Sequence, residues 1–232
     1  MTGPSTPGAP AGAILAIDTS SSRVVVALGR ADGSPIGETD WAAGHRHGET
    51  LLPAVGRILA ENGVARSSLA AIVVGTGPGT FTGLRVGLAT AKGLAQGLGV
   101  PIVGVASSAA LLDAAARDGS STDLVLLLPA GPSERILVRD GRTERLGQDA
   151  EPAFPAGATI VAVDLDDRAD ADAAAAGRRA LDGLGAALLR LGAARLHRGE
   201  TDDLAGLVPE YVTLPRGVAR ESGTVEWSRD PR

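Results

Sequence analysis

Residues 70–99 read AAIVVGTGPGTFTGLRVGLATAKGLAQGLG, and the fold turns on them. Ala71–Val74 is a short, wholly apolar run of the kind that is buried on both faces of a sheet. Gly75-Thr76-Gly77-Pro78-Gly79 breaks it. From Thr82 the apolar positions recur every three or four residues, at Leu84, Leu88, Ala91 and Ala95, which predicts a helix running to Leu98. Strand, glycine turn and helix form a unit that can aim backbone N–H groups at an anion. Gly83, Gly87, Ala91 and Ala95 lie four apart and therefore stack on one helix face. A face with so little side chain lets another helix come close, so the spacing predicts a partner there.

Working outward, Ile14–Ile17 reads as a first strand closed by Asp18-Thr19-Ser20-Ser21-Ser22, and Val24–Leu28 as a second. Ala31-Asp32-Gly33-Ser34 is a hairpin turn leading to a third strand between Ile36 and Trp41. A helix is expected from about Glu49 to Glu61, with Pro53 in its first turn, Leu52, Val55, Ile58 and Leu59 as its apolar stripe, and Asn62-Gly63 as its stop. Beyond the central stretch come a strand over Pro101–Val105 and a helix over Ser107–Arg117.

The polar run Asp118–Thr122 is the expected boundary between a first lobe, residues 13–117, and a smaller second lobe, residues 118–215. The second lobe reads as a strand at Leu124–Leu128, a hairpin over Glu134–Leu146 turning at Asp140-Gly141, and a strand at Thr159–Val163. An acidic, solvated loop over Asp164–Asp172 and one long helix over Ala173–Leu191 complete it. Residues 1–12 and 216–232 are Pro/Gly-rich or polar and are expected to be tails.

Composition narrows the function. With 232 residues, 44% of them hydrophobic, the chain can bury a substantial core. Aromatic residues make up 2%, which argues against stacking platforms for single-stranded nucleic acid. The formal net charge of −5 leaves no basic stripe to neutralise phosphates, so direct, stable binding of RNA by this chain alone is not expected. There are no cysteines, which removes disulfides, zinc thiolates and thiol nucleophiles. The first residues lack the basic start and apolar core of a secretory signal, and no apolar run suits a bilayer, so the expected location is the cytoplasm, with no membrane partner.

Candidate chemistry is sparse. A carboxylate such as Asp18 at the end of a strand, followed by hydroxyls, can hold Mg²⁺ through water while Thr19 and Ser20 meet phosphate; equally, it can cap its own turn. The turn at 75–79 lacks the Lys-Ser or Lys-Thr of a Walker A loop; it is either an anion-facing turn capped by Thr80 or Thr82, or a tight turn with no ligand. Arg85, one turn into the helix, is placed either to meet an anion or to sit at an interface. His45 and His47 are two apart and make a poor metal pair; His197 is isolated; Asp166, Asp167, Asp170 and Asp172 lack EF-hand order. No catalytic residue and no metal set stands out.

Four blocks in order, ILAIDTS at 14–20, HGETLLP at 47–53, GTGPGTFTGLRVGLATAKGLA at 75–95 and GVPIVGVASSAAL at 99–111, resemble the TsaB (YeaZ) family. The resemblance covers the first half of the chain continuously; in the second half only Pro209-Glu210-Tyr211-Val212 is familiar. It implies an α/β, actin-like fold of the sugar-kinase and Hsp70 (ASKHA) type with two lobes. It also implies a non-catalytic accessory role, without a cofactor. Such subunits pair with a homologous catalytic subunit, TsaD, and activate threonylcarbamoyl transfer to N6 of adenosine 37 in ANN-decoding transfer RNAs. A small ATPase, TsaE, joins through TsaD.

The metal-binding H-x-x-x-H pair of TsaD-type chains falls on Ser107 and Leu111, neither of which replaces histidine. The glycine usual two residues after the strand-ending aspartate is Ser20, so Asp18, Thr19 and Ser20 are expected to be at most a vestigial nucleotide turn. Pro129-Ala130-Gly131 stands where the family often has an Asp-Ala-Arg-like segment. The expected partner surface comprises His47, Leu51, Leu52, Val55 and Leu59 on one helix with Gly83, Leu84, Arg85, Gly87, Leu88 and Ala91 on the next. Alone, the same surface is expected to form a two-fold homodimer. The competing readings are an autonomous actin-fold ATPase or kinase, carried by Asp18 and the glycine turn, and a metalloprotease, which would need bound zinc.

Overall fold

A computed structural model describes residues 12–42, 47–117, 123–148, 150 and 154–211. The first sheet contains β1 (Ala13–Asp18), β2 (Arg23–Arg30), β3 (Pro35–Ala42), β4 (Leu69–Gly75) and β5 (Ile102–Val105), in the order β3-β2-β1-β4-β5. β1, β2 and β3 run antiparallel, and β4 and β5 continue parallel to β1. The second sheet contains β6 (Leu124–Pro129), β7 (Arg135–Arg139), β8 (Arg142–Leu146) and β9 (Thr159–Ala162), in the order β8-β7-β6-β9. Here too the first three strands are antiparallel and the fourth is parallel to the first. The same order and sense occurs twice, and this duplication is the actin-like, sugar-kinase and Hsp70 architecture.

Among the described residues five α-helices cover the sheets: α1 (His47–Glu61), α2 (Phe81–Leu98), α3 (Ser107–Arg117), α4 (Ala171–Asp182) and α5 (Leu184–His197). Alternation along the strands sorts their side chains to two faces. Leu15, Ile17, Val26, Leu28, Ile72 and Val74 meet α1 and α2 through Leu51, Val55, Leu88 and Ala91. Ile14, Ala16, Val25, Ala27, Val73 and Val103 face the other way, into a core that continues to Leu126, Leu128, Ile136 and Val161 of the second sheet.

The expected single helix over Ala173–Leu191 is two helices, broken at Gly183, where φ is −94° and ψ is −2°. The break redirects the chain. α4 lies along β9 and α3, whereas α5 crosses to β1, β2, β4 and β5. Gly192 permits this, because a Cβ there would overlap the Val73 side chain. Thus α5, expected within the second lobe, completes the core of the first sheet. The boundary expected at Asp118–Thr122 lies outside the described residues, as do the expected tails at 1–12, apart from Gly12, and 216–232.

The acidic loop is also more than a solvated run. Asp164, at φ 57°, accepts hydrogen bonds from the Ser22 N–H at 2.7 Å and from the Ser22 hydroxyl. Arg23 pairs with Asp182 at 2.6 Å and with Asp40 at 3.3 Å. The β1–β2 turn is therefore tied to the second half of the chain. In α1 the helix begins at His47, so Pro53 sits inside it and not in the first turn; the carbonyl it deprives of a donor belongs to exposed Glu49 and can be served by water. The hairpin between β7 and β8 turns at Asp140 (φ 50°) and Gly141 (φ 71°), two consecutive left-handed residues as a type I′ turn requires.

Candidate functional site

The strand-ending aspartate sits where β1, β4 and the start of α3 converge. Asp18, Thr19 and Ser20 are all buried, at 0%, 2% and 3% exposure. One Asp18 oxygen accepts the Ser20 N–H and the Ser20 hydroxyl, both at 2.7 Å; the other accepts the Ser107 hydroxyl at 2.6 Å. Ser107 in turn accepts the Gly77 N–H at 3.1 Å. The Thr19 hydroxyl donates to the Gly83 carbonyl at 2.7 Å, and the Thr80 N–H donates to the Ser20 carbonyl at 2.7 Å. Glycines make this closure possible: a Cβ at Gly75 would overlap the Asp18 carboxylate, one at Gly79 the Ser20 carbonyl, and one at Gly83 the Thr19 carbonyl.

Of the two readings of Asp18, the geometry is that of the capping turn. Its carboxylate is occupied by this chain's own donors, and the start of α2 is seated on the β1–β2 turn. Burial raises the Asp18 carboxyl above its ordinary 3.8, against the opposing pull of the Ser107 and Ser20 hydrogen bonds. The proton that a raised value retains in the fold stabilises it below 3.8, and that contribution disappears as pH rises through the folded-state value. Asp18→Asn, which has no proton to lose, is expected to gain in melting temperature relative to the parent chain as pH rises from acid towards neutral. A difference between the two that stays constant with pH would contradict this.

Ser107 and Leu111 are 0% and 1% exposed; the first holds Asp18 and the second lies in the core. Among the described residues no group of three or more His, Cys, Asp and Glu side chains is placed to hold a metal. His45 lies outside the described residues, as does the His47 side chain, and the His197 ring is turned back onto the Ala193 carbonyl at 2.7 Å. Between Gly79–Phe81 and the Pro129–Glu134 turn a space of about 650 Å³ remains, and Arg145 at its rim is paired with Glu134.

The expected partner surface divides. Leu51, Val55, Leu59, Leu84, Leu88 and Ala91 are 5% exposed or less and belong to the chain's own core. Gly83 and Gly87 face Thr19, not solvent. The small-residue stripe of the opening stretch is thus an inward one, a correction whose cause is visible in Leu84 and Leu88 beside it: the apolar side of the helix had to go in. Leu52 and Arg85 remain outside, Leu52 at 53% exposure.

A second stripe was missed. Ala89, Gly93 and Gly97 also lie four apart on α2, all exposed, and a Cβ at Gly93 or Gly97 would meet nothing within 4 Å. Gly56 on α1 is equally open. Between the helices runs an apolar groove of about 230 Å³, lined by Leu52, Val55, Gly56, Leu59, Leu94 and Leu98, with Arg66 at its border.

The chain's last described segment returns to the glycine turn. Asp202 accepts the Gly104 N–H at 2.7 Å and pairs with Arg195 at 3.0 Å. The Glu210 N–H donates to the Thr76 carbonyl at 2.7 Å, which delivers Tyr211 to Phe81 and Arg85 at the start of α2.

A duplicated α/β lobe with an aspartate at the end of its first strand defines the class: this is an actin-like chain, here with that aspartate tied up internally. The family model described as "TsaD: tRNA N6-adenosine threonylcarbamoyltransferase" matches residues 41–192, and the chain belongs to that family. It is similar to "tRNA threonylcarbamoyladenosine biosynthesis protein TsaB" of Escherichia coli (strain K12), at 34% identity over 121 residues covering 52% of each chain. The protein of the same name from Bacillus subtilis (strain 168) is 42% identical over 94 residues, 40% of this chain and 41% of that one. Among solved structures, YeaZ from Pseudomonas aeruginosa superposes with a TM-score of 0.66 at 26% identity, over 87% of this chain and all of that one. The chain spans about half the length of the curated relatives it matches. It is thus TsaB-like (YeaZ-like) within the family. No helix among the described residues is long and apolar enough to cross a membrane.

Proposed function

We propose that this chain is a non-catalytic accessory subunit for threonylcarbamoyl transfer to N6 of adenosine 37 in transfer RNA, docking on a TsaD-type catalytic chain through the outer faces of α1 and α2. The observation that carries the reading is the division of the two helices. Their inner faces are spent on the chain's own core, while the groove at Leu52 and the Ala89–Gly93–Gly97 stripe are apolar, open and of a shape that accepts helices. The occupied Asp18 carboxylate supports a role without catalysis by this chain. TsaE is expected to join through TsaD, and a homodimer through the same faces is expected when TsaD is absent.

Reconstitution tests the reading. TsaD supplied with the carbamoyl-threonine adenylate donor and transfer RNA is expected to modify the RNA only when this chain is added. Equal modification without it would dismiss the proposal. The space of about 650 Å³ beside the glycine turn is of nucleotide size, so titration with ATP and Mg²⁺ is the companion measurement; turnover by the isolated chain would favour the ATPase reading, and stoichiometric zinc the metalloprotease one.

A further inference from the structure

We propose that Arg85 is a pre-set anchor for a carboxylate on the docked helix, and that it makes the outer face of α2 favour a related chain over a second copy of this one; the inference rests on the docking reading above. Arg85 is exposed, one turn before Ala89 and two before Gly93, on the side of α2 that the core leaves open. Its position is fixed. The guanidinium carbon stands 3.7 Å above the centroid of the Phe81 ring and 5.8 Å from that of Tyr211, the chain's one tyrosine. Its Nε–H donates to the Tyr211 hydroxyl at 2.9 Å. Tyr211 is itself held, because Glu210 is hydrogen-bonded to Thr76 and the two rings sit 5.0 Å apart.

This arrangement uses one face of the guanidinium and its Nε. Its two terminal nitrogens donate to nothing among the described residues, and no described carboxylate pairs with it. An arginine so clamped has already lost the rotamer freedom that binding would otherwise cost it, and it presents a planar fork suited to a carboxylate. The surroundings select the source of that carboxylate. Ala89, Gly93 and Gly97 offer a smooth track for a helix, and the chain's net charge of −5 disfavours a nucleic-acid backbone.

The same residue discriminates between partners. α2 carries Arg85 and Lys92 and no Asp or Glu. Two copies meeting α2 to α2 bring cations together with no acid on either helix to answer them, whereas a related chain with an acidic residue at the apposed position gains a charge-assisted pair.

The test uses the full chain and the intact TsaD partner, with dissociation constants measured at two salt concentrations and self-association followed by sedimentation equilibrium. Arg85→Gln, which removes the charge and the fork, is expected to weaken the mixed complex about tenfold or more and to flatten its salt dependence, while self-association is unchanged or tighter. Arg85→Lys is expected to lose most of the same affinity because it lacks the fork, and Arg85→Glu to lose about 100-fold, recovered by an Asp/Glu→Lys change on the apposed partner helix. Tyr211→Phe, which removes only the hydroxyl, is expected to cost a few-fold. The melting temperature of Arg85→Gln reports its folding. Binding by folded Arg85→Gln within twofold of the parent overturns the inference, as does an equal loss of self-association, or an Arg85-dependent contact with transfer RNA in place of the partner. If the parent chain does not bind TsaD at all, the docking reading falls with it; if it binds and Arg85→Gln binds as well, only the anchor falls.

Discussion

Gly87→Leu is expected to lower the melting temperature of the isolated chain by about 10 °C or more, whereas Gly93→Leu, six residues on in the same helix, is expected to leave it unchanged or slightly raised. Both replace a glycine of α2 with leucine, and they differ only in what lies opposite. At Gly87 even a Cβ would overlap the Thr19 hydroxyl, which is committed to the Gly83 carbonyl. A leucine there must push α2 off the β1–β2 turn and unseat the buried Asp18 network, a cost of about 4 kcal/mol or more. That is a large part of the stability of a domain, about 5–15 kcal/mol. At Gly93 there is nothing within 4 Å, and leucine is the better helix former by about 0.8 kcal/mol. The association readout is expected to reverse the order. Folded Gly93→Leu should fail to form the complex with TsaD, since a leucine on the outer stripe holds an approaching helix away. Thermal melts and gel filtration with TsaD decide both halves; a well-folded Gly87→Leu would contradict the packing described for α2, and complex formation by Gly93→Leu would contradict the docking face.

Leu52→Glu is expected to weaken the complex with TsaD by about 100-fold and to abolish the stimulation of transfer-RNA modification, with little change in the stability of the chain alone. Leu52 is the large apolar side chain of α1 that the core does not use, 53% exposed at the edge of the groove. Truncation to alanine would forfeit the area buried on docking, about 1 kcal/mol for a side chain already half covered. Glutamate adds the desolvation of a charge inside an apolar contact, and a total near 2.7 kcal/mol is a factor of about 100. Leu51→Glu, one residue earlier, should instead prevent folding, because Leu51 is 0% exposed. Circular dichroism separates the two variants, and a titration with TsaD reads the first. Full-strength binding by Leu52→Glu would remove the groove from the interface.

That pair of adjacent leucines illustrates what a sequence does and does not carry. Strand and helix periods were legible almost throughout: the strand at Ala71–Val74, the helix from Thr82, the hairpin at Asp140-Gly141 and the helix Ser107–Arg117 all stand where hydrophobic spacing and turn residues put them. Which side of α2 faces inward was harder, because Gly83–Gly87–Ala91 and Ala89–Gly93–Gly97 are both small-residue stripes of period four. The leucines flanking the first stripe were the available signal. On α1 the expected stripe contained Leu52, whereas the core takes Leu51 and Ala54 and leaves Leu52 out; a one-residue rotation of a helical face is below what periodicity alone resolves. The break at Gly183 was written in Asp182-Gly183-Leu184-Gly185, but a run of alanines and leucines on either side reads as continuous until a tertiary contact decides otherwise. Contacts between distant segments, such as Asp164 with Ser22, Asp202 with Gly104 and Tyr211 with Arg85, have no local signature at all.

The passage of α5 onto the first sheet bears on how the polypeptide acquires its shape during synthesis. Val25, Ala27, Val73 and Val103 are paired into strands by sequence that emerges early, yet the helix that shields them, Leu184–His197, is translated late. A nascent chain halted before residue 184 therefore carries a finished sheet with one greasy side bare, a natural client for chaperones, and reaches its protected form when α5 closes a loop of about 80 residues onto β5.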